Sequence, residues 1–205
     1  MKLHYIWDAY CGWCYGFGSP LKEFTGNHPE LDISITSGGL FVEDRIQQVS
    51  QFGFMKAGNE QIKAIYGSEF SDAYNDLLDE GSTIINSNHP ATALSVLKKY
   101  VAPERRIEFA HAVQKQFFIQ GKSLSDIATY VDLFEAFAIP AQAQNELQAQ
   151  WQDYSLAEQD FQQARAWGAT SYPTLILEHS GKLYNLGQNA HSAEALEANY
   201  RALTH

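Results

Sequence analysis

Short apolar segments near the two ends of the chain have the spacing of β-strands. Residues 3–7 form an aromatic and β-branched run that stops at Asp8, which predicts a buried strand. Residues 11–24 have helical spacing, and the Gly-Asn-His-Pro stretch at 26–29 predicts the end of this helix. Apolar and polar residues alternate over 31–35, which predicts a second strand that ends before Gly38-Gly39-Leu40.

The middle of the chain has a different pattern. Residues 44–150 carry Ala, Leu, Gln and Glu at helical spacing, interrupted by glycines and prolines, and this predicts several helices. A segment of about 100 residues is too long for a loop in a compact domain unless it has its own structure. Its phenylalanines recur at helical spacing, so we expect them to form a core; they include Phe117, Phe118, Phe134 and Phe137.

The last fifty residues return to a mixed pattern. A helix is predicted over 155–167, with Gly168 as its stop. Residues 174–177 and 183–186 flank a turn at 179–182 and predict a β-hairpin. Ser192 is placed to cap a final helix that runs to Leu203. The predicted order is strand, helix, strand, many helices, hairpin and helix, so the fold class is α/β.

Composition narrows the function classes. With 205 residues, 45% of them hydrophobic and 19% charged, the chain is long and apolar enough for one globular domain, or for a small domain with a large insertion. The net charge of −10 argues against nucleic acid as a partner. No apolar run approaches the roughly 20 residues that span a bilayer, and residues 1–8 lack the pattern of a secretory signal. We therefore expect a cytoplasmic protein with no membrane partner.

The chain has only two cysteines, Cys11 and Cys14, separated by two residues. Two cysteines are too few for a disulfide scaffold. A closed zinc site needs four ligands, and a zinc ion here would depend on histidines such as His4, His89 or His111, each of which is better explained as a packed or surface residue. We therefore predict redox chemistry and no metal.

The position of the pair between a strand and a helix suggests a division of roles. Cys11 lies where unpaired backbone N–H groups and the positive end of the helix dipole favour a thiolate, so Cys11 is the predicted nucleophile. Cys14 lies one helical turn further on, where its sulfur can reach a mixed disulfide formed at Cys11. Cys14 is therefore the predicted resolving thiol.

Several segments together resemble a known family. They are the Asp-Ala-Tyr-Cys-Gly-Trp-Cys-Tyr-Gly-Phe segment at 8–17, Gly-Gly-Leu at 38–40, Ser-Asn-His-Pro-Ala at 87–91, and Ser-Tyr-Pro-Thr at 171–174 before a hairpin and a last helix. This combination resembles the thioredoxin fold with the large α-helical insertion of the DsbA-like family. More narrowly, it is similar to the cytosolic branch described as predicted protein-disulfide isomerases, whose relatives include 2-hydroxychromene-2-carboxylate isomerases and kappa-class glutathione transferases. The resemblance divides the chain into a thioredoxin-like domain, 1–43 and 151–205, and an inserted helical domain, 44–150.

The resemblance also implies roles for the residues opposite the cysteines. In that family the proline before the third strand is cis and faces the cysteines, which here implies a catalytic Pro173. The backbone of Tyr172 would then bind an extended substrate in β fashion. Ser171 and Tyr172, with Gly12 and Trp13 between the cysteines, are the implied substrate-binding residues. For Gly38 and Gly39 two interpretations stay open, a simple turn at the end of a strand or a part of the active-site floor.

Three positions depart from the family pattern. Related enzymes often have a buried acid six residues before the first cysteine, but this chain has Tyr5 there, and Asp8 and His4 are the candidates to replace it. The dipeptide between the cysteines contains no histidine, so the strong oxidising power of the periplasmic enzyme is not implied. Tyr172 is larger than the usual residue before the proline, which predicts a groove that is narrower or stacked with Trp13.

These observations predict a thiol-disulfide oxidoreductase, acting as a reductase or isomerase on protein or peptide disulfides. It would need no tightly bound cofactor, and glutathione or a thioredoxin-type protein would supply electrons. Two alternatives remain. One is a glutathione-dependent isomerase or transferase of the kappa-like branch, where serine is typical at the catalytic position. The other is a peptide-binding module without enzymatic activity, in which the cysteines only sense redox state.

Overall fold

The computed structural model describes residues 1–204; the boundary of the predicted thioredoxin-like domain at His205 lies outside the described residues. The strands are β1 (Lys2–Trp7), β2 (Asp32–Ser37), β3 (Gln47–Gln48), β4 (Ile84–Ile85), β5 (Thr174–His179) and β6 (Lys182–Asn185). The α-helices are α1 (Gly12–Asn27), α2 (Met55–Tyr66), α3 (Asp72–Glu80), α4 (Asn88–Leu97), α5 (Arg106–Phe118), α6 (Val131–Ala136), α7 (Ala141–Gln150), α8 (Ser155–Ala166) and α9 (Ala193–Thr204).

The main sheet joins the two ends of the chain. Its order is β2-β1-β5-β6, with β1 parallel to β2 and antiparallel to β5. The crossover from β1 to β2 contains α1, as parallel neighbours require. Because β1 pairs Tyr5 with Ile35 on one side and with Leu175 on the other, the strand that leads to the cysteines lies at the centre of the sheet. The α/β class is confirmed.

The two faces of the sheet are covered by different helices. Side chains alternate along β1, so that Leu3, Tyr5 and Trp7 belong to the large core that also contains α1 and α9. Ile6 belongs to a smaller core with Ala164 of α8. The sheet is therefore a layer between helices, and β1 is buried on both faces.

The helices α2 to α7 lie between β2 and α8 in the chain, as the pattern over 44–150 predicts. The predicted aromatic core is present, because Phe117, Phe118 and Phe137 are buried and the partly buried Phe134 packs against the same core. The helix α5 packs on α1, and α4 packs on α8. No helix within residues 1–204 is long and apolar enough to cross a membrane.

Candidate active site

Cys11 is the N-cap residue of α1. Its backbone is extended, with φ −77° and ψ 110°, and its Sγ accepts a hydrogen bond from the Cys14 backbone N–H at 3.3 Å. This bond satisfies one of the N–H groups that every helix leaves free in its first turn, and negative charge is favoured at that position. The sequence expectation that the first sulfur lies at the mouth of a helix agrees with this geometry.

Cys14 lies deeper than Cys11. Cys14 is fully buried, and both cysteines are free thiols. Burial raises the pKa of the Cys14 thiol well above its usual value, and the hydrogen bond and charge of Cys11 act in the same direction. The Tyr5 hydroxyl, whose pKa is also raised by burial, donates to the Cys14 carbonyl at 3.4 Å. At neutral pH Cys14 therefore holds its proton.

The loop before β5 closes the site opposite the helix. The peptide bond between Tyr172 and Pro173 is cis, and the Cys11 thiol donates to the Tyr172 carbonyl at 3.5 Å. Ser171, one residue earlier, is exposed, and its carbonyl accepts from the Thr174 hydroxyl at 2.7 Å. The structure thus brings Cys11, Cys14, Tyr172 and Pro173 together although about 160 residues separate the two segments.

The side chain of Tyr172 is directed toward Gly38. Its hydroxyl donates to the Gly38 carbonyl at 2.5 Å, and a Cβ atom on Gly38 would overlap the tyrosine ring. Gly38 therefore does more than end a strand, because it makes room for the residue whose carbonyl meets Cys11. The neighbouring Gly39 has a positive φ of 74°, which favours glycine, and it lies against Phe161.

Gly12 is required by the packing of α2. A Cβ atom at Gly12 would lie 2.8 Å from Ile62 Cδ1, and one at Gly16 would lie 2.7 Å from Ile62 Cγ2. The absence of side chains at both positions lets α2 approach the first turns of α1. Trp13 is half-buried and meets the ring of Tyr66, at the end of α2, edge-on with centroids 6.5 Å apart.

The turn that carries Cys11 is held by two residues. The Asp8 carboxylate accepts from the backbone N–H groups of Tyr10 (3.0 Å) and Leu40 (2.8 Å). Burial raises the pKa of Asp8, and the hydrogen bonds partly oppose that shift. The buried Gln114 of α5 donates from Nε2 to the carbonyls of Asp8 (3.2 Å) and Cys11 (3.4 Å). Sequence reasoning missed Gln114, and the available signal was a glutamine on the apolar face of a helix.

His4 does not replace the buried acid that Tyr5 displaces. Its ring packs on Trp167 at 4.3 Å between centroids, and its nitrogens bond to Ser34 (2.7 Å) and Glu178 (3.1 Å). These contacts lie on the α8 face of the sheet, because side chains alternate along β1 and Tyr5 points to the α1 face. Of the two candidates, only Asp8 is near Cys14, whose pKa its charge helps to raise.

The other two histidines that were considered as zinc ligands, His89 and His111, pack against aromatic rings. His89 lies against Trp151 and Tyr154, and its pKa is lowered by burial. His111 stacks on Tyr15 with centroids 5.2 Å apart. Within residues 1–204, no three His, Cys, Asp or Glu side chains are grouped so that they could hold a metal ion.

Two cavities flank Trp13. The first, which we name the Pro173 groove, has a volume of about 210 Å³ and is lined by residues that include Trp13, Phe17, Tyr66, Tyr172, Pro173 and His191. The second, which we name the Phe54 cavity, has a volume of about 160 Å³ and is lined by residues that include Cys11, Trp13, Leu40, Arg45, Phe54 and Gly58. No local pattern predicts that Tyr66, His191, Arg45 or Phe54 lines these cavities, because long-range packing alone brings these residues there.

Comparison with solved structures identifies the architecture. The cytosolic disulfide reductase DsbM from Pseudomonas aeruginosa superimposes with a TM-score of 0.83 at 20% identity, covering 99% of this chain and 98% of that one. A structure of that protein with GSH gives 0.81 at 19% identity, again covering 99% of this chain and 98% of that one. A 2-hydroxychromene-2-carboxylate isomerase gives 0.65 at 11% identity, covering 99% and 94%. A scan against protein-family models and a search of curated protein sequences find no match.

This chain has the DsbA-like fold. The expected thioredoxin fold with a helical insertion is confirmed, since the likeness extends over nearly the whole of both chains. At these identities the likeness shows the architecture alone, so the chemistry must be argued from the residues themselves.

Proposed function

We propose that this chain is a thiol-disulfide oxidoreductase that acts on protein or peptide disulfides through Cys11 and Cys14. The observation that carries the proposal is the position of Cys11 Sγ, which caps a helix and lies 3.5 Å from the Tyr172 carbonyl at the edge of a cavity. A sulfur that only packs in a core needs none of these contacts. The name of DsbM, a disulfide reductase with the same fold, supports the same chemistry.

In the reductive direction the Cys11 thiolate attacks one sulfur of a substrate disulfide. An S–S bond forms between Cys11 and the substrate, and the other substrate sulfur leaves as a thiolate. Cys14 then gives up its proton and attacks Cys11 Sγ, which releases the second substrate sulfur as a thiolate. Two electrons have passed to the substrate, whose thiolates take up protons, and Cys11 and Cys14 are joined in a disulfide.

The high pKa of Cys14 suits the second of these steps. A neutral buried thiol does not compete with Cys11 for the incoming disulfide, and it becomes a nucleophile only when its proton is removed. Once Cys11 is in a mixed disulfide it carries no charge, so its contribution to the raised Cys14 pKa falls away. The Cys14 proton could pass through water to Asp8, which is buried and lies six residues before Cys14 in the sequence.

Substrate binding is assigned to the segments on both sides of Cys11. An extended peptide could pair with the backbone at Ser171 and Tyr172, next to Pro173, in the manner of an added strand. Gly12 and Trp13 would contact the same peptide from the helix side. The half-buried Trp13 lines both cavities, which supports its role as a contact surface.

Electrons return to the oxidised protein from an external thiol. Two molecules of glutathione, or one thioredoxin-type protein, would reduce the Cys11–Cys14 disulfide, and no tightly bound cofactor enters the cycle. The GSH complex of DsbM supports glutathione. We place the reaction in the cytoplasm, where a reducing environment favours reductase or isomerase activity, and the word cytosolic in the name of DsbM supports this assignment.

The decisive experiment combines two variants with a peptide disulfide as substrate and glutathione as donor. Cys11→Ser should abolish turnover, and Cys14→Ala, incubated with the peptide disulfide in the absence of glutathione, should accumulate a mixed disulfide that mass spectrometry detects as one peptide joined to one protein. Gly26→Ala, at the far end of α1, serves as the control. The chain is a binding module if three results are found together. Cys14→Ala traps no peptide, wild type shows no turnover, and Cys11→Ser binds the peptide as tightly as wild type does. Glutathione-dependent turnover of a small electrophile by Cys14→Ala would favour the transferase alternative.

A further inference from the structure

Cys11 borders one of the two cavities. Cys11 itself lines the Phe54 cavity, whereas the Pro173 groove is reached past Trp13 and Tyr172. A group that is covalently joined to Cys11 therefore has the Phe54 cavity directly beside it. This cavity lies between α1 and α2, on the side of the site away from Pro173.

The lining of the Phe54 cavity is mainly apolar. Leu40, Phe41, Met55 and Ile62 form its walls, and Phe54 stands beside it with 61% of its surface exposed. So large an exposed aromatic side chain next to an apolar cavity is the kind of surface that marks a binding site. An apolar cavity of about 150 Å³ can hold a benzene molecule, so the 160 Å³ here accepts one leucine-sized or phenyl-sized group.

One positive charge stands at this cavity. The Arg45 guanidinium lies 5.2 Å from the centre of the Phe41 ring, and Arg45 is exposed. Within residues 1–204 no carboxylate lies within ion-pairing distance of it, in a chain whose net charge is −10. Arg45 contacts the Phe41 ring and its charge acts on the buried Asp8, but its guanidinium forms no ion pair within the described residues and can bind a carboxylate of a ligand through two parallel hydrogen bonds.

We propose that the Phe54 cavity selects the substrate, by accepting an apolar side chain next to the reacting cysteine of a peptide disulfide while Arg45 binds an acidic residue close to it. This inference rests on the proposed function, since it concerns the substrate of the same site. The protein would then bind the peptide on both sides of Cys11. The peptide backbone would pair with Tyr172, and a peptide side chain would enter the Phe54 cavity. The chemical step is unchanged.

Gly58 allows a direct test of the cavity. It lies in the first turn of α2 and lines the cavity, and a Cβ atom built on it meets no atom within 4 Å. The Cβ atom of Gly58→Leu therefore has room at the cavity wall, from which its side chain is expected to occupy the cavity, and the substitution removes a residue that weakens helices. The matched control is Gly26→Leu, which is also in a helix and also has no atom within 4 Å of its Cβ position. It lies fifteen residues beyond Cys11, about 22 Å along α1.

The measurement is kcat/KM for two peptide disulfides that differ only in leucine or alanine next to the cysteine. Wild type and Gly26→Leu should prefer the leucine peptide by about tenfold or more, since a few carbon atoms in an apolar pocket have an effect of that size. In Gly58→Leu the ratio should fall to about one. The second arm compares peptides that carry aspartate or lysine at the next position, and Arg45→Glu should reverse the preference that wild type and Arg45→Lys share.

The outcomes separate the two proposals. Equal rates for the leucine and alanine peptides in wild type, or a preference that survives Gly58→Leu, overturn the inference while Cys11-dependent exchange remains. A larger loss for glutathione disulfide than for the leucine peptide in Gly58→Leu also overturns it, because the cavity would then hold the small thiol. Absence of Cys11-dependent exchange with every peptide overturns the proposed function and the inference with it.

Discussion

The Tyr172 hydroxyl donates a hydrogen bond to the Gly38 carbonyl across the site, at 2.5 Å. The bond joins the end of β2 to the loop before β5, and the Tyr172 ring fills the space that any side chain at residue 38 would need. The carbonyl of Tyr172 also accepts from the Cys11 thiol. The position of the loop that faces Cys11 therefore depends on Gly38, a residue without a side chain.

Gly38→Ala should therefore lower both stability and activity. The added methyl group overlaps the Tyr172 ring, and overpacking of this kind costs about 1–3 kcal/mol. Urea unfolding and turnover of a peptide disulfide measure the two effects. Gly53→Ala, where a Cβ atom meets nothing within 4 Å, is the control and should leave both nearly unchanged. Equal stability of Gly38→Ala and wild type would contradict the inference that the Tyr172 ring needs the space left by the missing side chain at residue 38.

Cys14 should make the reduced protein less stable as pH rises. Its pKa is raised in the folded state, so the unfolded chain loses this proton first, above its ordinary value of about 8.5. Between pH 8 and 9.5 this difference removes about 1 kcal/mol of the free energy of unfolding.

Urea unfolding with a non-thiol reductant, on wild type and Cys14→Ala at both pH values, measures this effect. The loss attributable to Cys14 is the difference between the two proteins, which cancels the contribution of the buried tyrosines. The same loss in both proteins would show that Cys14 does not hold its proton in the fold.

His111 should lower the free energy of unfolding at acid pH, whereas Cys14 lowers it at alkaline pH. Burial is the main cause that lowers its pKa to about 4, with Lys115 and Lys22 adding to the shift. The folded protein keeps the ring neutral while the unfolded chain takes up a proton below about 6.5, so stability is lost as pH falls from 6.5 toward 4. The loss amounts to at most about 3 kcal/mol.

The matched variant is His111→Phe, which keeps an aromatic ring against Tyr15. Thermal unfolding between pH 7 and 4.5 should show a smaller decline for this variant than for wild type. His28 is unchanged in both proteins, so its raised pKa does not affect the comparison. Parallel curves would mean that His111 is protonated in the fold.

Asp160 ties α8 to the insertion and to the sheet. Its carboxylate accepts from the Ser37 backbone N–H (3.0 Å) and the Ser95 hydroxyl (3.3 Å), and lies 3.5 Å from Lys98 Nζ. Lys98 also donates to the Ile35 carbonyl at 3.1 Å.

Asp160→Ala should destabilise the protein by about 2 kcal/mol, because three donors lose their acceptor in a mostly buried place. The exposed pair of Lys122 and Asp132, 2.6 Å apart, provides the comparison, and Asp132→Ala should cost less than about 1 kcal/mol. Chemical denaturation gives the free energy of unfolding of both variants. Similar losses would show that burial does not make the contacts of Asp160 more stabilising than an exposed ion pair.

Local patterns were sufficient to predict most of the fold. The alternation around Ile33 and Ile35, the apolar run before Asp8, and the hairpin after Pro173 each depend on neighbours in sequence, and the strands lie where these patterns predict them. The cap by Ser192 is confirmed by its hydroxyl, which accepts from the Ala195 N–H at 3.2 Å.

The surroundings of the cysteines were harder to predict. Gln114 and Tyr66 reach the site through the packing of α5 and α2 on α1, and Arg45 reaches it from the turn before α2. A buried glutamine on an apolar helix face is visible in the sequence, but its partners depend on this long-range packing. The sequence predicted a groove that is narrower or stacked with Trp13, whereas the Tyr172 ring packs against Gly38. The space that a glycine leaves for another side chain is recognisable only once the neighbouring residue is known. The inherited roles of Ser171 and Pro173 stay predictions.

The contact between Cys11 and Tyr172 spans 161 residues, so the thiol is made long before the loop that faces it. At synthesis rates of about 5–20 residues per second, roughly ten to thirty seconds pass between the two. During that interval the growing polypeptide carries both thiols and the helices that pack around them, but not the loop whose carbonyl meets Cys11.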